Sequence, residues 1–189
     1  MATFTLYTGP MFSRKTKVLV ARYKQCLDEG IHVIVMKPRI DTRYDAISEI
    51  CSHDNGRAPA ILIDETNPWE MKKLANQEGA TTIIIDEIQF FPGEAVRQVI
   101  KDFRDAGIDV TAAGLDYNFR RQPFGATPFL EDIADNHQHL FARCVEPGGC
   151  DRPAIYTERL AVAGTKEVVV AGADLYLPKC EVHHRINVE

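Results

Sequence analysis

One ten-residue stretch, TGPMFSRKTK at 8–17, constrains the fold more than any other part of the chain. It follows a short apolar, β-prone run, FTLYTG at 4–9, and leads into a helical pattern. A strand, a glycine-opened turn and a helix beginning with lysine and a hydroxyl residue form the frame in which backbone N–H groups cradle phosphate. Gly9 opens the loop, Pro10, Met11, Phe12 and Ser13 follow, and Lys15 and Thr16 close it. The motif G-x-x-x-x-G-K-[ST] has glycine just before the lysine, where this chain has Arg14. The chain wraps closely on phosphate there and needs unusual dihedrals. Arginine complies only if its φ is allowed and its side chain points outward. On this reading Lys15 reaches the β- and γ-phosphates and Thr16 offers its hydroxyl to Mg²⁺. The bland alternative is a strand, turn and helix with a chance lysine and threonine.

The chain beyond the loop keeps the same rhythm. Residues 15–29 put Leu19, Val20, Tyr23, Cys26 and Leu27 on one helical face, with Gly30 placed just past the end. IHVIVMK (31–37), TTIIID (81–86) and IDVTAAG (108–114) are strand candidates, and the first two are near-continuous apolar runs. Such runs suit a parallel sheet covered on both faces. GEAVRQVIKDFRDAG (93–107) reads as a helix through Val96, Val99, Ile100 and Phe103. The alternation predicts a doubly wound α/β domain of the P-loop NTPase type over 1–140, with ligands at the carboxyl ends of the strands. Residues 38–57 fit neither period. Within 83–87, IIIDE ends an apolar strand in two carboxylates, as a Walker B element does. Asp86 is then a candidate Mg²⁺ partner and Glu87 a candidate base; an ordinary strand end with solvated acids is the alternative.

After about residue 140 the texture changes to short β-like pieces, AIYTERL (154–160) and EVVVAGA (167–173), between cysteines. Cys144, Cys150 and Cys180 cluster here with His183 and His184, whereas Cys26 and Cys51 stand alone. A reducing compartment disfavours disulfides, so the clustering points to metal. Cys180 and His183 have the familiar two-residue spacing, but five residues separate Cys144 from Cys150, and His184 competes with His183. Pro147-Gly148-Gly149 offers the means to fold the longer knuckle back. The expectation is a small zinc-held subdomain over 141–189. Net charge is 22 − 27 = −5, which argues against general nucleic-acid binding. No apolar run reaches the roughly 18 residues of a membrane span, and no basic-then-apolar leader opens the chain. A cytoplasmic protein is the expectation.

Taken together, these stretches resemble the cellular-type (type II) thymidine kinases. GPMFSRKT is similar to that family's GPMFSGKS/T, and DTRY (41–44) and SHDNG (52–56) have counterparts there. So do IDEIQFF (85–91), GLDYNFRRQPFG (114–125), YTERL (156–160) and VVVAGADLY (168–176), in the same order along the chain. The resemblance implies transfer of the γ-phosphate of ATP to the 5′-hydroxyl of thymidine. It makes Glu87 the catalytic base, oriented by Gln89, and assigns Asp41, Thr42 and Arg43 to the phosphates. It places thymine against Phe119, with Met11, Phe90, Leu115 and Phe124 as walls and Thr157 beside the 5-methyl group. Val168, Val169, Val170, Ala171 and Tyr176 fall in a lasso loop whose backbone holds the base. Zinc on Cys144, Cys150, Cys180 and His183 would be structural, with Mg²⁺ arriving with ATP on Thr16 and Asp86. A homotetramer and feedback inhibition by dTTP are further implications. Arg14 departs from the family loop and leaves a second reading open, a catalytically impaired nucleotide-binding or dNTP-sensing homologue. A zinc-ribbon nucleic-acid binder is a third, disfavoured by the negative charge.

Overall fold

The computed structural model describes residues 1–41, 48–52, 54–160 and 175–186. Its centre is a six-stranded, all-parallel sheet. The strands are β1 (Phe4–Thr8), β2 (Val33–Pro38), β5 (Ile61–Ile63), β6 (Thr82–Ile85), β7 (Asp109–Gly114) and β8 (Asn136–His139), in the order β5-β2-β6-β7-β1-β8.

Alternation along each strand explains how the sheet is sandwiched. Phe4, Leu6, Ile83, Ile85, Val110 and Ala112 belong to one buried cluster with α2 (Glu70–Glu78) and α3 (Gly93–Asp105), through Met71, Ala75, Val96, Val99, Ile100 and Phe103. Val33, Val35, Ile84 and Ala113 point the other way, onto Leu19, Val20 and Cys26 of α1 (Lys15–Asp28). Residues packed on both faces have no polar side to show, which is why the strands read as unbroken apolar runs. Helices on both faces give the doubly wound form expected from the sequence. α1 ends as its sequence suggests, with Gly30 at φ 68°. Leu27 differs from expectation: it is exposed, because α1 meets the sheet through a narrower stripe than the apolar residues suggest.

Three features lay below the resolution of the periodicity argument. The segment 38–57 that fits no pattern contains one strand, β3 (Glu49–Cys51), and leads into another, β4 (Arg57–Pro59), the two forming an antiparallel hairpin. Three residues are too few to show alternation. Asn55 at φ 64° makes its turn, a conformation asparagine tolerates. β8 reads NHQH and lies at the sheet edge, where a strand is free to be polar. β5 and α2 were likewise not singled out by their sequence.

Past β8 the chain forms small pieces. β9 (Ala142–Arg143) pairs with β10 (Pro153–Ala154), and β11 (Tyr156–Arg159) with β12 (Tyr176–Lys179), both antiparallel. They surround a minor cluster of Ala142, Cys144, Ala154 and Cys180, against which Phe12 of the phosphate loop packs. The strand expected at 167–173 lies outside the described residues. No helix among the described residues is long and apolar enough to cross a membrane.

Candidate functional site

The site forms where β1, β2, β6 and β7 end, at the carboxyl edge of the sheet. Gly9 leaves β1 at φ 138°, and a Cβ there would lie 2.1 Å from the carbonyl oxygen of Leu140, so the turn admits glycine alone. Phe12 and Arg14 then both adopt left-handed φ, 65° and 68°. Arg14 thus occupies the conformation for which the motif usually supplies glycine. Its side chain is exposed and lines the cavity that the loop borders. α1 begins at the next residue, and no side chain caps its N-terminus. The positive end of the helix dipole thus meets the loop, a setting that favours an anion.

Lys15 is buried and its Nζ donates to the carbonyls of Gly9 (2.9 Å) and Pro10 (2.7 Å) and to Ser13 Oγ (3.3 Å), spanning the loop from within. The Thr16 hydroxyl donates to Asp86 Oδ2 at 3.0 Å, and Asp86 Oδ1 accepts the Glu87 N–H at 2.9 Å. Asp86 is itself tied to β2, its N–H donating to the Met36 carbonyl at 3.0 Å. A hydroxyl and a carboxylate side by side at a strand end are hard oxygen donors of the type Mg²⁺ accepts. Glu87 is buried and left-handed, with φ 52°. Phe12, Arg14 and Glu87 are three of the five non-glycine residues at positive φ among those described, and all three line one cavity. Strained conformations gather at sites where the surrounding structure over-determines them.

Gln89 fixes Glu87. Its Nε2 donates to Glu87 Oε2, and its Oε1 accepts the Leu115 N–H at 3.1 Å. Two glycines make room for it. A Cβ on Gly114 would sit 2.6 Å from Gln89 Oε1, and one on Gly125 would sit 1.7 Å from the Gln89 carbonyl oxygen.

The cavity measures about 410 Å³. Met11 through Lys17, Asp41, Asp86, Glu87 and Leu115 line it, together with Glu49, Ile50, Cys51, Ser52 and Asp54 of the β3–β4 hairpin. The structure therefore brings together the loop, both carboxylates, Asp41 and Leu115. The hairpin residues were not expected there as a group. Lys17 also lines the cavity and binds Asp54 at 2.5 Å, pinning the hairpin to α1. This pair draws the exposed Asp54 carboxyl down from 3.8 to about 2, with help from the Ser52 hydroxyl. Lys37, fully buried at the end of β2, lies 3.6 Å from Asp41. A charge closing an otherwise apolar strand was the signal available for it.

The remaining expected residues lie outside this cavity's wall. Phe90 and Phe124 meet edge to face at 5.9 Å. Phe119 is buried, with the guanidinium carbons of Arg159 and Arg120 lying 3.7 and 4.9 Å from its ring centroid. Thr157, also buried, accepts the Met11 N–H at 2.9 Å and so joins β11 to the phosphate loop. Tyr176 is buried on β12 opposite Arg159. Thr42, Arg43, Val168, Val169, Val170 and Ala171 lie outside the described residues. Behind the loop, Asp116 meets His139 Nδ1 at 2.9 Å. Burial raises the Asp116 carboxyl, against the opposing pull of His139 and Lys15.

The four expected metal ligands converge. Donor atoms of Cys144, Cys150, Cys180 and His183 all lie within 4.8 Å of one another. Cys180 Sγ is 3.4 Å from His183 Nδ1 and 4.0 Å from Cys150 Sγ. A tetrahedral zinc with bonds near 2.3 Å has ligand edges of about 3.5–4 Å, so the donor set fits a closed structural site. The long first knuckle does fold back: Gly148 and Gly149 take φ 92° and 87°, and the Gly149 N–H donates to the Glu146 carbonyl at 2.9 Å. His184, the competing ligand, is turned away and buried, with its Nδ1 accepting from Arg121 Nε at 3.1 Å.

A family model described as thymidine kinase matches residues 2–184. The chain is 34% identical over 181 residues to a thymidine kinase of Onion yellows phytoplasma, covering 93% of this chain and 83% of that one. It is 33% identical to one from Thermococcus kodakarensis (96% and 93% covered) and 37% identical to one from Porphyromonas gingivalis (94% and 82%). Among solved structures it is similar to a genome packaging NTPase of Sulfolobus turreted icosahedral virus 2, at TM-score 0.49 and 15% identity over 78% of each chain. That likeness is too distant to carry weight.

Proposed function

We propose, because the chain belongs to the thymidine kinase family, that it transfers the γ-phosphate of ATP to the 5′-hydroxyl of thymidine, giving dTMP and ADP. The observation that carries this is the hydrogen-bonded run from Thr16 through Asp86 and Glu87 to Gln89 beside the phosphate loop. It sets a carboxylate, held by an amide, next to a metal-type donor pair.

In the proposed reaction the loop's N–H groups and the α1 N-terminus hold the phosphates, and Lys15 moves its ammonium onto the β- and γ-oxygens. The Thr16 hydroxyl and, through water, Asp86 would hold Mg²⁺, which would supply neutralising charge to the phosphates. Glu87 takes the proton of the 5′-hydroxyl while that oxygen bonds to the γ-phosphorus. The bridging bond to the β-phosphate breaks, and its electron pair leaves on ADP. Gln89 keeps the Glu87 carboxylate aimed. Phosphoryl transfer needs little beyond such positioning and charge.

Asp41, with Thr42 and Arg43, is assigned to the phosphate side. Leu115, Phe90, Phe119, Phe124 and Thr157 are assigned to the nucleoside, closed over by a lasso around Val168–Ala171 and Tyr176. The Arg159 guanidinium lies against the Phe119 ring, so a thymine stacking there takes the other face or displaces it. Residues 1–140 form the nucleotide domain and 141–189 a zinc-held subdomain. A cytoplasmic homotetramer inhibited by dTTP completes the reading. Arg14 motivates the rival reading of an impaired sensor, against which stand the loop lysine, the Thr16–Asp86 pair and Glu87 in place around the same cavity.

The test is phosphorylation of thymidine with ATP and Mg²⁺, on the wild type and on Glu87→Gln. The variant should lose about 10²–10⁴-fold in turnover, the usual share of a general base, while still binding thymidine. Retention of more than about a tenth of turnover removes Glu87 as the base. A wild-type protein that binds dTTP yet turns nothing over supports the sensor.

A further inference from the structure

Arg121 lies in the turn that carries Phe119, closed by the Asn118 N–H donating to the Gln122 carbonyl (2.9 Å) and the Arg121 N–H donating to the Asn118 carbonyl (3.0 Å). It takes φ 60°, a conformation disfavoured for an arginine backbone. Its side chain shows what the strained backbone achieves. Nε donates to His184 Nδ1 at 3.1 Å, and Nη2 donates to the carbonyls of Glu181 (2.9 Å) and His184 (3.0 Å). The guanidinium carbon lies 4.7 Å from the Tyr156 ring centroid. Every one of these partners belongs to the knuckle or to β11. Glu181 and His184 flank the cluster member His183.

The connection continues to the phosphate loop. His184 Nδ1 accepts from Arg121, so Nε2 carries the ring proton and faces the Thr157 carbonyl at 3.3 Å. The Thr157 hydroxyl accepts the Met11 N–H at 2.9 Å. Phe12, the next loop residue, packs against the small cluster containing Cys144 and Cys180. Segments distant in sequence are thus linked: 118–122 directly to 181–184 through Arg121, and 11–12 to them through Thr157 of β11 and the small cysteine cluster.

We propose that Arg121 is a positioning residue that locks the turn bearing Phe119 to the Cys/His knuckle, so that one small cluster sets the place of the turn and of the phosphate loop together. Assigning that turn to the nucleoside rests on the function proposed above; the lock itself does not. The guanidinium fork matters because three donors converge from one planar group, which an ammonium does not reproduce.

The experiment compares wild type, Arg121→Gly and Arg121→Lys. Glycine takes φ 60° without strain, so that variant removes the fork and leaves the backbone content. Amide exchange over 117–122 should quicken by about tenfold or more in Arg121→Gly, while zinc per chain and exchange in the central sheet stay as in the wild type. The KM for thymidine should rise about tenfold with the KM for ATP within about threefold, and Arg121→Lys should fall between. Unchanged exchange over 117–122 in Arg121→Gly overturns the proposal, as does loss of zinc together with faster exchange throughout the sheet. If the wild type fails to phosphorylate thymidine, the proposed function falls, and amide exchange still decides the role of Arg121.

Discussion

The phosphate loop and the cysteine knuckle are both short, irregular and built on tight turns, yet they are held by opposite means. The loop is bolted to a large apolar core. Its strand begins at Phe4 and Leu6, and its helix buries Leu19, Val20 and Cys26, all in contact with a sheet packed on both faces. Its strained residues, Phe12 and Arg14, can persist because that framework gives them no alternative. The knuckle has little apolar mass: two alanines and two cysteines form its buried cluster, with Cys150 and Phe12 beside it. Four side chains able to hold a metal, with a few hydrogen bonds, stand there where some twenty apolar side chains stand in the main core cluster. A small unit lacking a core needs a metal or a neighbour to hold it, and the knuckle is placed to use both.

The largest expected effect tests the metal half of that contrast. Structural zinc supplies about 10–16 kcal/mol of apparent folding free energy in small sites. Cys144→Ser should therefore lose the bound metal and the amide protection of residues 142–156 and 176–186, while the central sheet stays protected. Metal analysis and hydrogen exchange read both. An unchanged zinc content would dismiss the four-ligand site.

The converse perturbation strikes the core. Ile84 is fully buried between the sheet and α1. Ile84→Ala should lower the free energy of urea unfolding by about 2–5 kcal/mol and leave one zinc per chain. Zinc lost in step with stability would show that the two regions fold as one unit, and the contrast would dissolve.

Arg14 gives a smaller effect of opposite sign. Glycine relieves the left-handed backbone at 68°, against its greater freedom when unfolded. Arg14→Gly should stabilise the chain by about 0.5–1 kcal/mol and leave the KM for ATP within about threefold of wild type, since Lys15 and the loop amides carry the phosphate. A large gain in turnover would instead mark Arg14 as damage to the loop.

The smallest effect concerns the hairpin pinned to the loop's helix. Asp54 has a folded pKa of about 2 against the usual 3.8, so Lys17 contributes stability above pH 3.8 that is lost as pH falls through about 2. Lys17→Met should raise the Asp54 carboxyl toward the ordinary range in an NMR titration, with the Ser52 hydroxyl still drawing it down. Both groups are half exposed, so little change in global stability is expected. An Asp54 midpoint still near 2 would show that the pin is not what lowers it.

Much of the central fold was legible because it follows from residue type and period. TIII at 82–85 has apolar residues for both faces and so had to be an interior parallel strand. Gly9, Lys15, Thr16, Asp86 and Glu87 were legible because each sits beside a strand end or helix start whose position the sequence itself sets. Pro147, Gly148 and Gly149 announced the fold-back that gathers Cys144 and Cys150. β8 was not legible, since an edge strand needs no apolar face and NHQH carries no period. Nor was the hairpin of β3 and β4 in the cavity wall, whose strands are too short to show alternation.

What the sequence alone determined is thus local: which segments become strand or helix, where the loop turns, and which atoms can bind phosphate or metal. Tertiary structure decided what depends on two distant segments meeting. It selected His183 over His184, because Arg121 approaches from 63 residues away and takes the second ring. It put the Thr157 hydroxyl on the Met11 N–H, 146 residues distant. It also laid Arg159 against the Phe119 ring. Residue type fixes what a side chain is able to do within reach of its own backbone, but its partner is set by how whole elements pack, and no local pattern encodes that meeting.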